Sequence, residues 1–249
     1  MASVREWIDH DVYDNSVSKY GLPERVKNLV NKEIGREVTY TDILLYLSTF
    51  LREKISYLEL GVSVGKNFLQ VVNFLKNASL VGFDIEEINP VLEGSFVMVD
   101  RREWETMAGS AKRKKSSLSL YHHKPNSHDV HYLSGDILDG NSWRQLVGQK
   151  FNLIFSDAFH DPSALLFEFE MIAKYELLNP SEFVILWDDL GGDMSLSFLR
   201  IWSHLKRSHN LKNRNRVVCR CRGWLGTNEP MHEVGIIMKI AHRENLCWR

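Results

Sequence analysis

From residue 55 onward, short apolar runs alternate with longer amphipathic segments, and this alternation constrains the fold more than any other feature. The runs are Ile55–Leu60, Leu80–Phe83, Val130–Leu133, Phe151–Phe155 and Phe183–Trp187. Between them lie Lys66–Lys76, Ser142–Val147, Ser163–Lys174 and Ser195–Lys206, each with helix-like spacing of apolar residues. A strand buried on both faces carries a continuous apolar run, and strand–helix alternation implies βαβ units on a parallel sheet. The expected class is therefore α/β and doubly wound. Arg216–Arg222 and Glu233–Ile240 flank a Gly/Asn/Pro-containing turn and read as an antiparallel hairpin at the sheet edge.

Two stretches fall outside this pattern. Residues 1–54 read as a mostly helical cap; Ile43, Leu44, Leu47, Phe50 and Leu51 recur at helical spacing, with Thr41 or Asp42 as the N-cap. The other is an insertion at about 86–129, twice the length a helix and its loops require. It reads as one helix plus a loop or hairpin, and contains Lys112–Lys115, then SSLSL and HHKPNSH. The remainder, 55–249, forms the main domain.

Composition excludes several classes. With 44% hydrophobic and 25% charged residues, the chain has ample apolar surface to fold. Lys+Arg number 31 against Asp+Glu 32, so the protein is not globally basic. No apolar stretch approaches the roughly 18–20 residues of a membrane span, and the N-terminus lacks a signal-peptide core. Three cysteines, Cys219, Cys221 and Cys247, form neither a disulfide framework nor a four-ligand zinc site. A cytoplasmic protein is expected, with oligomerisation possible.

The chemistry concentrates where strands end. The first strand runs into Glu59-Leu-Gly61-Val-Ser63-Val-Gly65-Lys66-Asn67. Position 63 is Ser, so the dinucleotide fingerprint G-x-G-x-x-G fails. Three residues rather than four separate the glycines, so the P-loop fails too. What remains, Glu-x-Gly-x-x-x-Gly, resembles the first motif of class I S-adenosylmethionine-dependent methyltransferases. About 20 residues on, the second strand ends in Asp84, where a carboxylate can accept both hydroxyls of a ribose. Glu86 and Glu87 are nearby rivals. The third strand ends in Gly135-Asp136-Ile137, with Asp139 close by; Asp136 is either a nucleoside contact or a helix N-cap.

The fourth strand ends in Ser156-Asp157-Ala-Phe159-His160-Asp161-Pro162, and the fifth in Trp187-Asp188-Asp189. Adjacent parallel strands bring Asp157, Asp188 and Asp189 to one sheet edge. Clustered carboxylates repel unless something positive lies between them, and a hard divalent cation such as Mg²⁺ or Ca²⁺ is one solution. The alternative is that Asp157 touches a cofactor while Asp188 and Asp189 cap the next helix. Asp-x-x-His followed by Asp-Asp resembles metal-dependent, macrocin-type O-methyltransferases that act on sugar hydroxyls. Phe159 stands where that pattern commonly has an acid, and the resemblance covers roughly residues 55–190.

The resemblance implies a Rossmann-like, mostly parallel seven-stranded sheet with an antiparallel last pair. It implies S-adenosylmethionine at Glu59, Gly61, Ser63, Gly65, Asp84, Asp136, Ile137 and Asp157. It also implies a divalent metal, Mg²⁺ for example, at Asp157, Asp188 and Asp189, with His160 as general base and Asp157 beside it. The implied partner is a small-molecule acceptor, such as a sugar-bearing natural product. One feature opens a second possibility: from Met194 to Asn228 there are eight Lys/Arg and no acid, a block that could face RNA. A non-catalytic cofactor-binding module is a third. Histidines 122, 123, 128 and 131 read as surface histidines on a loop, and Trp143, Trp187, Trp202 and Trp224 as core.

Overall fold

The computed structural model describes residues 39–63, 65–88, 96–107, 113–123, 126–222 and 231–240. Its elements are α1 (Tyr40–Ser48), β1 (Ser56–Leu60), α2 (Lys66–Phe74), β2 (Ser79–Asp84), β3 (Phe96–Met107), β4 (Arg113–His123) and β5 (His128–Ser134). There follow α3 (Gly140–Trp143), β6 (Leu153–Ser156), α4 (Pro162–Lys174), β7 (Phe183–Trp187), α5 (Met194–Ser208), β8 (Arg216–Arg222) and β9 (Met231–Lys239). The strands form one sheet in the order β3-β4-β5-β2-β1-β6-β7-β9-β8.

All five apolar runs become the parallel centre of the sheet, β5-β2-β1-β6-β7. Alternate residues of each strand feed opposite cores. Tyr57, Leu80, Val130, Phe155 and Leu186 pack toward α1 and α2. Leu58, Val81, Leu133, Ile154 and Ile185 pack with residues of α3, α4 and α5. Helices on both faces are what the continuous apolar runs require, since neither strand face is left to water. Each fully buried Leu or Phe stabilises this arrangement by about 1.5–3 kcal/mol.

The expected seven strands become nine. β3 and β4 form a long antiparallel hairpin that extends the sheet beyond β5. They are built from the insertion, and no helix occurs there among the described residues. The hairpin was hidden by its polarity: Ser116, Ser117 and Ser119 are buried, so serines fill positions normally held by apolar residues. The histidine reading changes with it. His122 and His123 close β4, His128 and His131 lie in β5, and His123 and His128 are buried, with rings stacked 6.3 Å apart. The sheet's other margin is the predicted antiparallel pair, β9 against β7 and β8 against β9.

The start of α1 also differs. Thr39 is the N-cap: its hydroxyl accepts the Asp42 N–H and the Asp42 carboxylate accepts the Thr39 N–H, a capping box. Thr41 and Asp42 are inside the helix. The helix ends at Ser48, so Phe50 and Leu51, expected within it, lie in the turn and coil that follow. The helical expectation for residues 1–38 lies outside the described residues, as do Trp224, Cys247 and the turn between β8 and β9. Trp143, Trp187 and Trp202 are core, and Cys219 and Cys221 share one face of β8. No described helix is long and apolar enough to cross a membrane.

Candidate active site

The hydrogen-bond ladder runs one residue past the strands at the carboxyl edge of the sheet. Gly135 donates to the Asp84 carbonyl, Gly61 to Phe83, Asp157 to Leu60, and Asp188 to Ser156, all at 2.8–2.9 Å. On the far side Leu190 donates to the Glu233 carbonyl at 2.8 Å. Every motif found at a strand end is thereby held in one row, in the order Gly135/Asp136, Asp84, Gly61, Asp157, Asp188/Asp189, and His232 at the start of β9 extends it.

Gly61 is required where it stands. Its φ is +81°, and a Cβ there would lie 2.3 Å from the Asp157 carbonyl oxygen and 2.5 Å from Ala158 Cα. The chain leaving β6 therefore rests on the bare backbone of Gly61. Gly65 caps α2 in the left-handed region, at φ 77°. Between them the Ser63 N–H donates to Asp84 Oδ2 at 2.7 Å, and the Glu86 N–H donates to Asp84 Oδ1 at 2.8 Å. Asp84 thus ties the glycine loop to the end of β2, with lone pairs remaining on both oxygens.

A cavity of about 310 Å³ opens at this row, lined by Gly61, Phe83, Asp84, Ile85, Asp136, Ile137, Leu138, Ala158 and Phe159. It gathers four of the predicted cofactor residues: Gly61, Asp84, Asp136 and Ile137. Apolar Ile85, Leu138 and Phe159, all exposed, frame it. The loop is pinned from below, where Trp143 Nε1 donates to the Ile137 carbonyl at 2.7 Å. Asp139 caps α3 by accepting the Asn141 N–H, so Asp136 is not that helix's cap.

Glu59 occupies a different place and is not among the lining residues. It is buried, accepts from the Tyr57 hydroxyl, and accepts from Asn67 Nδ2 at 2.9 Å. Asn67 Oδ1 in turn accepts the Thr41 hydroxyl at 2.8 Å. This network fastens β1, α2 and α1 together. Burial raises the Glu59 carboxyl to about 8, with the Tyr57 and Asn67 hydrogen bonds opposing. Glu59 is therefore largely a neutral acid at pH 7.

Next to the cavity lies a chain of charges. His160 Nε2 is 2.9 Å from Asp157 Oδ1, and its Nδ1 is 3.3 Å from Asp189 Oδ2. His232 Nδ1 is 2.8 Å from Asp188 Oδ2 and 3.2 Å from Asp189 Oδ1. Asp161, not His160, caps α4, and it precedes Pro162 in the first turn. Desolvation, with Asp188 and Asp189 nearby, raises Asp157 to about 6, against the pull of His160. The Asp157 hydrogen bond raises His160, and the Asp188 hydrogen bond raises His232 to about 9. Below the cluster, the Ser156 hydroxyl donates to Glu168 Oε2 at 2.6 Å, and burial raises Glu168 to about 8.

Asp188 and Asp189 cap no helix; α5 begins after Asp193. The Asp188 side chain is 0% exposed, and its Oδ1 is buried without a hydrogen-bond partner. One ligand atom from each of Asp188, Asp189 and His232 lies within 4.8 Å of the others. This donor set and the orphaned oxygen fit a divalent cation. Asp157 flanks the group but is not in it.

His232 and Glu168 were missed in the sequence. For His232 a signal existed: a strand antiparallel to β7 begins at the edge where β7 ends. Glu168 gave none, because it sits on a helix whose register against β6 only the packing reveals.

No family model matches the chain, and no curated protein matches it. Among solved structures it is similar to the O-methyltransferase TomG from Streptomyces achromogenes, involved in tomaymycin synthesis and in complex with SAM. The identity is 13% over 89% of each chain, with a TM-score of 0.48. Cofactor-bound Rv0187 from MTB shares 15% identity over 80% of this chain and 78% of that one, at a TM-score of 0.47. The Methanococcus jannaschii fibrillarin pre-rRNA processing protein shares 13% over 75% and 67%, at 0.40. At these values the likenesses carry no argument, and the functional reading rests on the site.

Proposed function

We propose that this chain is an S-adenosylmethionine-dependent methyltransferase acting on a hydroxyl of a small molecule, with sugar-bearing natural products as the acceptor class. One observation carries the reading: the cavity at the carboxyl edge of the sheet collects Gly61, Asp84, Asp136 and Ile137 and adjoins the Asp157–His160 pair. In this reading the Asp84 carboxylate receives ribose hydroxyls, and Ile85, Ile137 and Leu138 enclose a flat base. Asp157, at the end of β6, stands between the nucleoside cavity and the reacting atoms.

The donor's sulfonium methyl supplies the electrophile. What this chain must do is hold the acceptor oxygen in line and remove its proton. His160, nearly half exposed, takes that proton. Asp157 on Nε2 fixes the ring and stabilises the imidazolium that forms, as a carboxylate does in catalytic triads. Asp188 and Asp189, next to Asp157, would hold a divalent cation at this edge. Such a cation, when bound, lowers the pKa of a hydroxyl.

The basic block is divided between the two ends of the sheet: Lys206 and Arg207 lie in the last turn of α5 and Arg216 pairs with Ile237, away from this edge, whereas Arg220 pairs with Glu233 and Arg222 with Met231, beside the strand position of His232. A small acceptor and a nucleic acid are therefore separated by experiment. The test is transfer of a labelled methyl group from S-adenosylmethionine to a panel of hydroxylated small molecules and to RNA. Labelled small-molecule product is expected, with His160→Ala slowing it at least about 100-fold. Label in RNA alone would replace the small acceptor with a nucleic acid.

A further inference from the structure

His232 enters the site from an element that carries none of the motifs. β9 is antiparallel to β7, with Trp187 opposite Gly235, so residues 232–234 lie alongside 188–190. The imidazole is held from behind by the edge of the Tyr40 ring, centroids 5.7 Å apart at 79°. Its Nδ1 faces both adjacent carboxylates, and these three side chains supply ligand atoms within 4.8 Å of one another. Ligands at about 2.0–2.2 Å from a shared ion lie no farther apart than roughly 4.4 Å, so small adjustments close the site.

One further observation bears on the cation and another on Asp157. The Asp188 Oδ1 atom is fully buried and lacks a partner, an arrangement that costs free energy unless a ligand completes it. Asp157 stands outside the close group, with its Oδ1 turned to His160 Nε2.

We propose that the cation of this site is a first-row transition ion, of the Mn²⁺ class, held by Asp188, Asp189 and His232. Asp157 is then a positioning residue for His160. The chemistry follows from the donor set: one imidazole nitrogen with two carboxylates suits Mn²⁺, Fe²⁺, Co²⁺ or Zn²⁺, whereas Mg²⁺ prefers oxygen ligands and retained water. Ligation through Nδ1 replaces its hydrogen bonds to the two carboxylates and releases the Nδ1 proton to solvent, leaving the tautomer that carries its proton on Nε2. The inference rests on the methyltransferase reading for the purpose of the site, but its test does not need turnover.

The experiment is calorimetric titration of chelator-stripped full-length protein with Mn²⁺ alone and with Mg²⁺ alone. Mn²⁺ is expected to bind at least about 10-fold more tightly than Mg²⁺. His232→Asn is expected to weaken Mn²⁺ at least about 10-fold, and Asp157→Asn by less than about 3-fold. No Mn²⁺ binding, an unaffected His232→Asn, or a larger loss in Asp157→Asn overturns the proposal. Should His232→Asn fail to fold, electron spin echo modulation of the wild-type Mn²⁺ complex decides: imidazole ¹⁴N coupling is expected, and its absence overturns the assignment. S-adenosylhomocysteine is titrated into the same protein. Its binding without any Mn²⁺ binding overturns the metal assignment alone, whereas its failure to bind overturns the methyltransferase reading.

Discussion

At the scale of single residues, the site depends on places where one atom more or one charge fewer is decisive. Gly61 combines a positive φ with contact between its missing Cβ and the Asp157 backbone. Gly61→Ala must both strain the loop and displace the end of β6. The expected loss is about 2–4 kcal/mol in denaturant unfolding, combining backbone strain and overpacking; a loss under about 1 kcal/mol would show that the loop gives way freely. His160 makes the second case. Its pKa is raised chiefly by the Asp157 hydrogen bond, so Asp157→Asn removes the largest cause and lowers it. NMR titration of the His160 ring in chelator-treated protein should show the shift. As a base, His160 works in its neutral form, so the acidic limb of the activity profile should move to lower pH in the variant while the rate falls. An unchanged His160 titration would mean that Asp157 does not govern the ring.

At the scale of elements, the seam between β6 and α4 carries a pH dependence. Burial holds Glu168 near 8 in the fold, against an ordinary value of 4.5. The unfolded chain releases that proton first, so the contribution is fully present below about pH 4.5 and is lost as pH rises toward 8. The slope is on the order of 1 kcal/mol per pH unit. Glu168→Gln keeps a neutral, isosteric partner for Ser156 and removes the slope. Its melting temperature relative to wild type should therefore climb between pH 5 and pH 8; a constant difference would contradict the assignment. The same elements show how far the sequence can be read. β1, β2, β5, β6 and β7 were legible because strands buried on both faces must be apolar throughout. Asp84, Asp157, Asp188 and Asp189 were legible with them, since a strand's end defines an edge. The β3–β4 hairpin was not, because its buried face is filled with serines and its charged residues follow no clean alternation. Thr39 was overlooked because a capping box is recognised by a reciprocal pair of hydrogen bonds, and Asp42 was read as the cap rather than as its partner.

At the scale of the whole molecule, a parallel sheet gathers residues more than 170 positions apart into one row, from Gly61 to His232. No single motif in that row defines the function; their convergence on one cavity does. Glu59, drawn from the same glycine motif, belongs to the scaffold beneath the row, joined to Tyr57, Asn67 and Thr41. The central claim is that this cavity holds the nucleoside of a methyl donor, with Asp84 on its ribose. Calorimetric titration with S-adenosylhomocysteine tests it most directly. The account predicts micromolar binding that Asp84→Ala weakens at least about 10-fold, the cost of about one charge-assisted hydrogen bond. Absence of binding, or binding that Asp84→Ala leaves unchanged, would contradict it.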